Sequence, residues 1–396
     1  MKNTKPRQVL QLILLFAVFL PVRVSMAALD KFEPYAYARV LYDSNLFRTD
    51  GDIRKEEDDT ITHLGGGLKS DLKLSRQHLL LDLKVDRALY KNFDELDHTR
   101  VDGTGAWAWQ VGNLWSGTLG YKYQRKMSSF NEQFVREKDM RTTQTGFFGA
   151  GYQIHPDWKL KIGADIRDVS YQDRKRLDRD ATSGLFEVQY RNTRNTRVGV
   201  RVKYTDNDLK DQDVAGVKVS NDYTETEVSG VLYWEGTAKS SFEARLGYTE
   251  QSFDELSDRD YKGSTGRLTY FWKFSSKTNV NFSVWRETST KFDEVTTYVL
   301  TKGAKISPTW KATPKITVFG NVSYVSDDFK GQNDVVTSVG GPRRDDDIWK
   351  ARLGARWQPR QFVQLSLSVS REDRDSSIDV RDFTDDQVDA KLRFNF

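Results

Sequence analysis

Along most of the chain, apolar and polar residues alternate one by one. Leu79, Leu81, Leu83 and Val85 share one parity, as do Val198, Val200, Val202 and Tyr204, and Phe242, Ala244, Leu246 and Tyr248. The pattern returns at Leu268, Tyr270, Trp272 and Phe274, at Ile316, Val318, Gly320, Val322 and Tyr324, at Trp349, Ala351, Leu353, Ala355 and Trp357, and at Val388, Ala390, Leu392, Phe394 and Phe396. The opposite parity carries mostly Lys, Arg, Asp, Ser, Thr, Asn and Gly. A period of two is that of a strand with unlike faces. About 18 such segments can be counted, each as long as the roughly 9–11 residues that a tilted strand needs to cross a bilayer.

Breaks between the segments come in two sizes. Short ones fall at Ser75 to Gln77, Gly112 to Leu114, His155 to Asp157, Asn192 to Thr196, Glu235 to Lys239, Ser275 to Lys277, Lys311 to Lys315 and Pro359 to Gln361. They recur about every 40 residues, and between them lie long acidic loops such as KNFDELD, YQDRKRLD, SFDELSDRD and REDRDSSIDVRD. Alternating short turns and long loops are expected when one end of every hairpin faces the periplasm and the other the outside. Trp109, Trp115, Trp158, Trp234, Trp272, Trp310 and Trp357 all lie near short breaks, where an interfacial aromatic girdle would form. A propeller of this period would need four strands per repeat, whereas these repeats hold two long ones. The expected fold is therefore all-β: a transmembrane antiparallel up-and-down β-barrel of about 18 strands, with 16 as the alternative. Pro156, Pro314 and Pro359 fall in short breaks, but Pro308 sits within an outward series, so a bulge or an early strand end is expected there.

Composition agrees. Hydrophobic residues make up only 37% of the 396 residues, while aromatics reach 12%, a balance that suits a wall in which every second residue is apolar. The first 27 residues have a basic start (Lys2, Lys5, Arg7), an apolar run from Val9 to Leu20 and small residues at Ser25 and Ala27, and read as a signal peptide ahead of a barrel at 28–396. Removing it takes away Lys2, Lys5, Arg7 and Arg23, so the 61 basic residues fall to match the 57 acidic ones. A nucleic-acid partner is excluded with the basicity. The absence of cysteine excludes a disulfide framework and thiolate metal sites.

The stretch VDAKLRFNF, with Leu392, Phe394 and Phe396 on one parity, looks like the closing-strand signal read by the barrel-assembly machinery of the bacterial outer membrane. Near the other end, YDSNLFR (Tyr42, Asp43, Ser44, Asn45, Leu46, Phe47, Arg48) precedes an acidic run. Together these resemble the outer-membrane β-barrel porins of exopolysaccharide biosynthesis operons, the EpsL-type proteins. The resemblance implies a barrel in the outer-membrane bilayer that works with polysaccharide export components. It supplies no catalytic residue. The residues themselves read Tyr42 to Arg48 as a strand end entering an external loop, with Asp43 and Asn45 as turn formers; a substrate-binding role is the other reading.

If the apolar parity faces lipid, the other parity lines the lumen. That places Lys159, Lys161, Arg167, Arg197, Arg201, Lys203, Arg245, Arg267, Lys273, Lys315, Lys350, Arg352, Arg356, Lys391 and Arg393 inward, with fewer acids (Asp82, Asp86, Asp165, Glu187, Glu243). Such a basic wall would favour an anionic polysaccharide or small anions; a wall whose charges pair across strands would select nothing. His63, His78, His98 and His155 show no spacing with Ser or acidic partners that marks an enzyme, and no metal or other cofactor pattern stands out. Gly65, Gly66 and Gly67 lie in a strand and read as close packing. The leading expectation is a channel or scaffold for exopolysaccharide export or biosynthesis. The alternative is a general, weakly anion-selective diffusion porin, and a third reading is a surface-binding or adhesion barrel acting through its acidic loops.

Overall fold

The structure is a computed structural model that describes residues 32–131, 136–192, 196–214, 217–289, 298–330 and 344–396. The leader expected at 1–27 lies outside them. In chain order the strands are β1 (Phe32–Asp43), β2 (Asp59–Leu74), β3 (Gln77–Tyr90), β4 (His98–Val111), β5 (Trp115–Met127), β6 (Met140–His155), β7 (Trp158–Tyr171), β8 (Arg179–Arg191) and β9 (Arg197–Leu209). A small hairpin, β10 (Gln212–Val214) and β11 (Val217–Val219), precedes β12 (Tyr223–Trp234), β13 (Ser240–Phe253), β14 (Tyr261–Trp272), β15 (Thr278–Ser289) and β16 (Tyr298–Trp310). The last four are β17 (Ile316–Lys330), β18 (Asp345–Arg360), β19 (Val363–Ser376) and β20 (Phe383–Asn395). Apart from the hairpin, each strand pairs antiparallel with its sequence neighbour, β9 pairs with β12, and β1 pairs with β20. The result is a closed 18-stranded barrel in which each of its strands has a neighbour on both sides.

Register decides which residues face in. Residues directly opposite one another share a face, so Tyr37, opposite both Gly65 and Arg393, puts all three on one side of the wall. Carried round the barrel, this places the alternating apolar series on the other side, where Leu246, Leu353 and Val200 are 68%, 60% and 58% exposed. Leu80 apart, the exposed large apolar residues of the barrel strands fall on this parity, and such a surface is one that a bilayer covers. Trp115, Trp158, Trp310 and Trp357 fall on it next to the short turns, and Trp115 and Trp158 lie against Tyr152 and Tyr190 at 4.4 and 5.2 Å between ring centroids. This is the aromatic belt of one interface.

The three glycines of β2 are explained by what lies opposite. Tyr35 faces Gly67 and Tyr37 faces Gly65, and both rings lie flat enough along the inner wall to be 6% and 5% exposed. A Cβ on Gly67 would stand 2.2 Å from the Leu83 carbonyl oxygen and 2.5 Å from the Tyr35 hydroxyl. Gly67→Val is therefore expected to lower barrel stability by about 1–3 kcal/mol, the usual range for overpacking. Gly105→Val, at a site with nothing within 4 Å of the added carbon, should be close to neutral. Thermal melting of both variants in detergent checks the contrast; equal melting points would mean that Tyr35 yields without cost.

Pro308 corrects an expectation. β16 neither bulges nor ends there but runs on to Trp310, and the register is unbroken, with Ile306 opposite Val322 and Thr309 opposite Phe319. Pairing with β15 continues through Pro308, opposite Val280, while the β17 side lacks the two pairings at Ser307 and Pro308. The missing N–H is thus absorbed by one side of the ladder, and Gly320 leaves room for the ring.

Four of the acidic loops share one construction. Each contains a single 3₁₀ turn (Asp94–Leu96, Lys175–Leu177, Ser257–Arg259, Asp379–Arg381) followed by an aspartate. The aspartate's carboxylate accepts the N–H at the end of the preceding strand. Asp97 takes Tyr90 at 2.8 Å, Asp178 takes Tyr171 at 2.7 Å, Asp260 takes Phe253 at 2.9 Å and Asp382 takes Ser376 at 2.7 Å. One aspartate in each of these loops thus ends a strand whose last donor would otherwise lack a partner.

Candidate functional site

The inner wall and the long-loop mouth above it carry the chemistry. At the mouth, the Tyr42 to Arg48 segment folds into a knot that clips β1 to β20. Asp43 Oδ1 accepts the N–H of Asn45 at 3.1 Å, making the turn, while Asn45 Nδ2 donates to the Thr49 and Thr384 carbonyls at 2.7 and 3.0 Å. Ser44 exchanges bonds with Asp386 in both directions, at 3.0 and 2.8 Å. Arg48 then turns back with φ of 55°, a left-handed conformation that a non-glycine residue holds only when its surroundings impose it. Its guanidinium lies between two carboxylates, 2.8 Å from Asp43 and 2.9 Å from Asp385, whose side chains are 5% and 2% exposed. Burial works against the charge on Arg48, but the bonds to Asp43 and the nearby Asp385 outweigh it and raise the pKa above the ordinary value.

The knot aims Leu46 and Phe47 into the barrel. Phe47 meets Phe93 and Phe130 edge-on, at 4.8 and 4.9 Å between centroids, and joins Ile61, Ala88 and Leu96 in a buried apolar cluster. Arg136 lies over the Phe47 ring at 4.4 Å and pairs with Glu57 at 2.9 Å. From the same loop, Asn131 reaches β19, where it donates to Glu372 at 3.2 Å and accepts from Arg374 at 3.3 Å. Side chains from the β1–β2 and β5–β6 connections therefore meet across the mouth and narrow it.

Below the mouth, inward cations gather around single carboxylates. Glu187, 1% exposed in its side chain, accepts from Lys161 at 3.1 Å and from Arg201 at 2.6 and 2.5 Å. Glu287 holds Arg267 at 2.6 Å together with Arg245, which also reaches Glu227 at 3.5 Å. Asp389 holds Arg39 at 3.0 Å and Arg352 at 3.1 Å. Asp86 holds Arg100 at 2.7 Å, Lys84 at 3.5 Å and the ring of His63 at 3.2 Å. Lys350 pairs with Glu372 at 2.8 Å. Inward acids are thus more numerous than the sequence reading allowed: Glu227, Glu287, Glu372, Asp385 and Asp389 were missed, although each falls on the inward parity of its strand.

Other expected lumen cations have no carboxylate at ion-pair distance among the described residues. Lys159 donates to Ser116 at 3.1 Å. Arg197 lies over Tyr233 at 4.7 Å, Lys391 over Tyr37 at 4.2 Å, Arg393 over Tyr35 at 3.8 Å and Arg356 over Phe319 at 5.9 Å. Lys203 lines a polar recess of about 340 Å³ in the wall with Asp165, Ser183, Thr205 and Gln251. Lys273 departs from the expected set: it lies one residue beyond β14, in a short turn, where its N–H meets the Lys239 carbonyl at 2.8 Å. Leu392, Phe394 and Phe396 lie on the lipid-facing parity of the last strand. No cluster of three or more His, Cys, Asp or Glu among the described residues could hold a metal ion.

A family model described as "Putative beta-barrel porin 2" matches residues 32–396. The chain belongs to this family. The barrel is an outer-membrane porin. Solved structures of similar fold include the outer-membrane protein OpdK of Pseudomonas aeruginosa, 12% identical, with 93% of this chain and 99% of that one covered at a TM-score of 0.51. OccK2 (OpdF) of Pseudomonas aeruginosa, crystallised with glucuronate, is 11% identical over 92% of this chain and 98% of its own at 0.50. OccAB3 of Acinetobacter baumannii is 9% identical over 93% of this chain and 100% of its own at 0.50. At these identities the likeness is one of fold. No curated protein sequence matches the porin.

Proposed function

We propose that the porin is a diffusion channel with a preference for small anions, carboxylates among them. The observation that carries this reading is the cation surplus of the lumen: Glu187 and Asp389 each serve two cations, and Arg197, Lys203, Arg356, Lys391 and Arg393 have no carboxylate partner. Positive charge along a lumen lowers the barrier for anions and raises it for cations. Two channels of similar fold, OpdK and OccK2, have been crystallised with vanillate and glucuronate, both of them carboxylates.

A role in exopolysaccharide export or biosynthesis rests on the resemblance of Tyr42 to Arg48. The knot accounts for Asp43, Ser44, Asn45 and Arg48 without a substrate, and the side chains that meet over the mouth favour small solutes over a polymer. A surface-binding role through acidic loops loses four of their acids in the same way, because Asp97, Asp178, Asp260 and Asp382 end strands. The test is the reversal potential in a potassium chloride gradient across a planar bilayer. Wild type should prefer chloride, and Lys203→Glu combined with Arg356→Glu should reduce or reverse that preference. Equal permeability in wild type, or a preference untouched by the double variant, would remove the reading. Loss of secreted polysaccharide on gene deletion, with small-anion uptake intact, would favour the export role instead.

A further inference from the structure

We infer that the outer mouth holds a binding site for a ring-bearing carboxylate, built partly from the Tyr42 to Arg48 segment and placed to capture solute ahead of the lumen. It builds on the anion-channel reading. The site is a cavity of about 220 Å³ where the β1–β2, β5–β6 and β19–β20 connections meet. One part of its lining is apolar: Phe47, Phe130, Ile53 and Val380. The rest is dominated by guanidinium groups, with Asp50 as an acid in the lining; that carboxylate already accepts the N–H of Asp52 at 2.9 Å.

Two arginines give the cavity its demand for an anion. The Arg374 side chain is 7% exposed, and its Nε is buried without a hydrogen-bond acceptor. The nearest carboxylate, Asp346, is 3.7 Å away and already accepts from Arg344 at 2.9 and 2.5 Å and from Ser376 at 2.7 Å. The Arg374 guanidinium is thus incompletely neutralised by its neighbours, and an anion in the cavity that it lines would complete the charge balance. Arg54 is exposed on the rim of the same cavity, with no carboxylate at ion-pair distance among the described residues. Arg48, by contrast, is committed to Asp43 and Asp385 and serves as scaffold. A carboxylate against the guanidinium groups, with a ring over Ile53 and Val380, the exposed apolar residues of the lining, satisfies both halves. Acetate meets only one half, and a simple hydrocarbon only the other.

The test measures binding rather than current. Full-length barrel in detergent is titrated with benzoate, cyclohexanecarboxylate and acetate by saturation-transfer NMR. Benzoate and cyclohexanecarboxylate should saturate, with acetate on the order of tenfold weaker. Val380→Asp, at a position 47% exposed and so tolerant of change, should weaken benzoate on the order of tenfold or more. Arg54→Ser should weaken it severalfold, and Leu114→Asp, in a short turn at the opposite end, should leave it unchanged. Acetate binding as tightly as benzoate, or Val380→Asp binding like wild type, overturns the inference. Because the assay needs no conduction, a channel without anion preference in the bilayer and a mouth without benzoate binding are separate failures.

Discussion

Arg48→Ala is expected to release the mouth segment, lower the melting temperature and raise single-channel conductance. The substitution leaves Asp43 and Asp385 facing each other with side chains 5% and 2% exposed and no guanidinium between them. Breaking a buried ion pair by removing one partner costs about 3–5 kcal/mol. The left-handed backbone at position 48 adds to this, since the bonds of its side chain help to hold it. The cheapest relief is for the segment to swing outward, taking Leu46 and Phe47 from the apolar cluster they share with Leu96 and Phe130. Arg48→Lys should recover only part of the loss, because an ammonium cannot offer the flat, forked set of donors that now meets both carboxylates. Conductance and melting would be measured on the same preparations. Unchanged values in Arg48→Ala would mean that the mouth is held by its other contacts and that the two carboxylates find other partners.

The second large effect is expected at Glu187. Glu187→Gln removes the one carboxylate that Lys161 and Arg201 share, leaving two cations side by side on the wall. Lumen water softens the penalty, as the Lys161 and Arg201 side chains are 30% and 19% exposed, so the loss should sit near about 3 kcal/mol, the lower end for a broken buried pair. The same substitution adds one net positive charge to the lumen, so the preference for chloride should rise. That sign is opposite to the one expected for Lys203→Glu with Arg356→Glu. Reversal potentials moving in opposite directions would show that the wall charges act on the permeating ion. Shifts of the same sign would point to altered pore shape.

Much of the barrel is legible without coordinates because each of its rules is local. Backbone geometry sends successive side chains to opposite faces, so Val198, Val200, Val202 and Tyr204 announce their common face through spacing alone. The inward parity of Arg197, Arg201 and Lys203 follows in the same step. Turn length separates the two ends of the barrel, and tryptophans beside the short turns mark an interface. Asp97, Asp178, Asp260 and Asp382 were visible too, but as surface acidity; the strand-end donor that each one meets appears only once the 3₁₀ turn has folded back.

The sequence by itself therefore determined the barrel architecture of about 18 strands, the lipid and lumen faces, and most of the cations lining the lumen, but not the acids Glu227, Glu287, Glu372, Asp385 and Asp389. Tertiary structure decided which of those charges meet. Arg39 and Asp389 are 350 positions apart and touch only because β1 and β20 close the barrel in one register. Asn131 and Glu372 meet only because a loop crosses the mouth. Pattern along a strand is set by the geometry of consecutive residues, whereas pairing across strands depends on register, closure and loop packing, which no local spacing encodes.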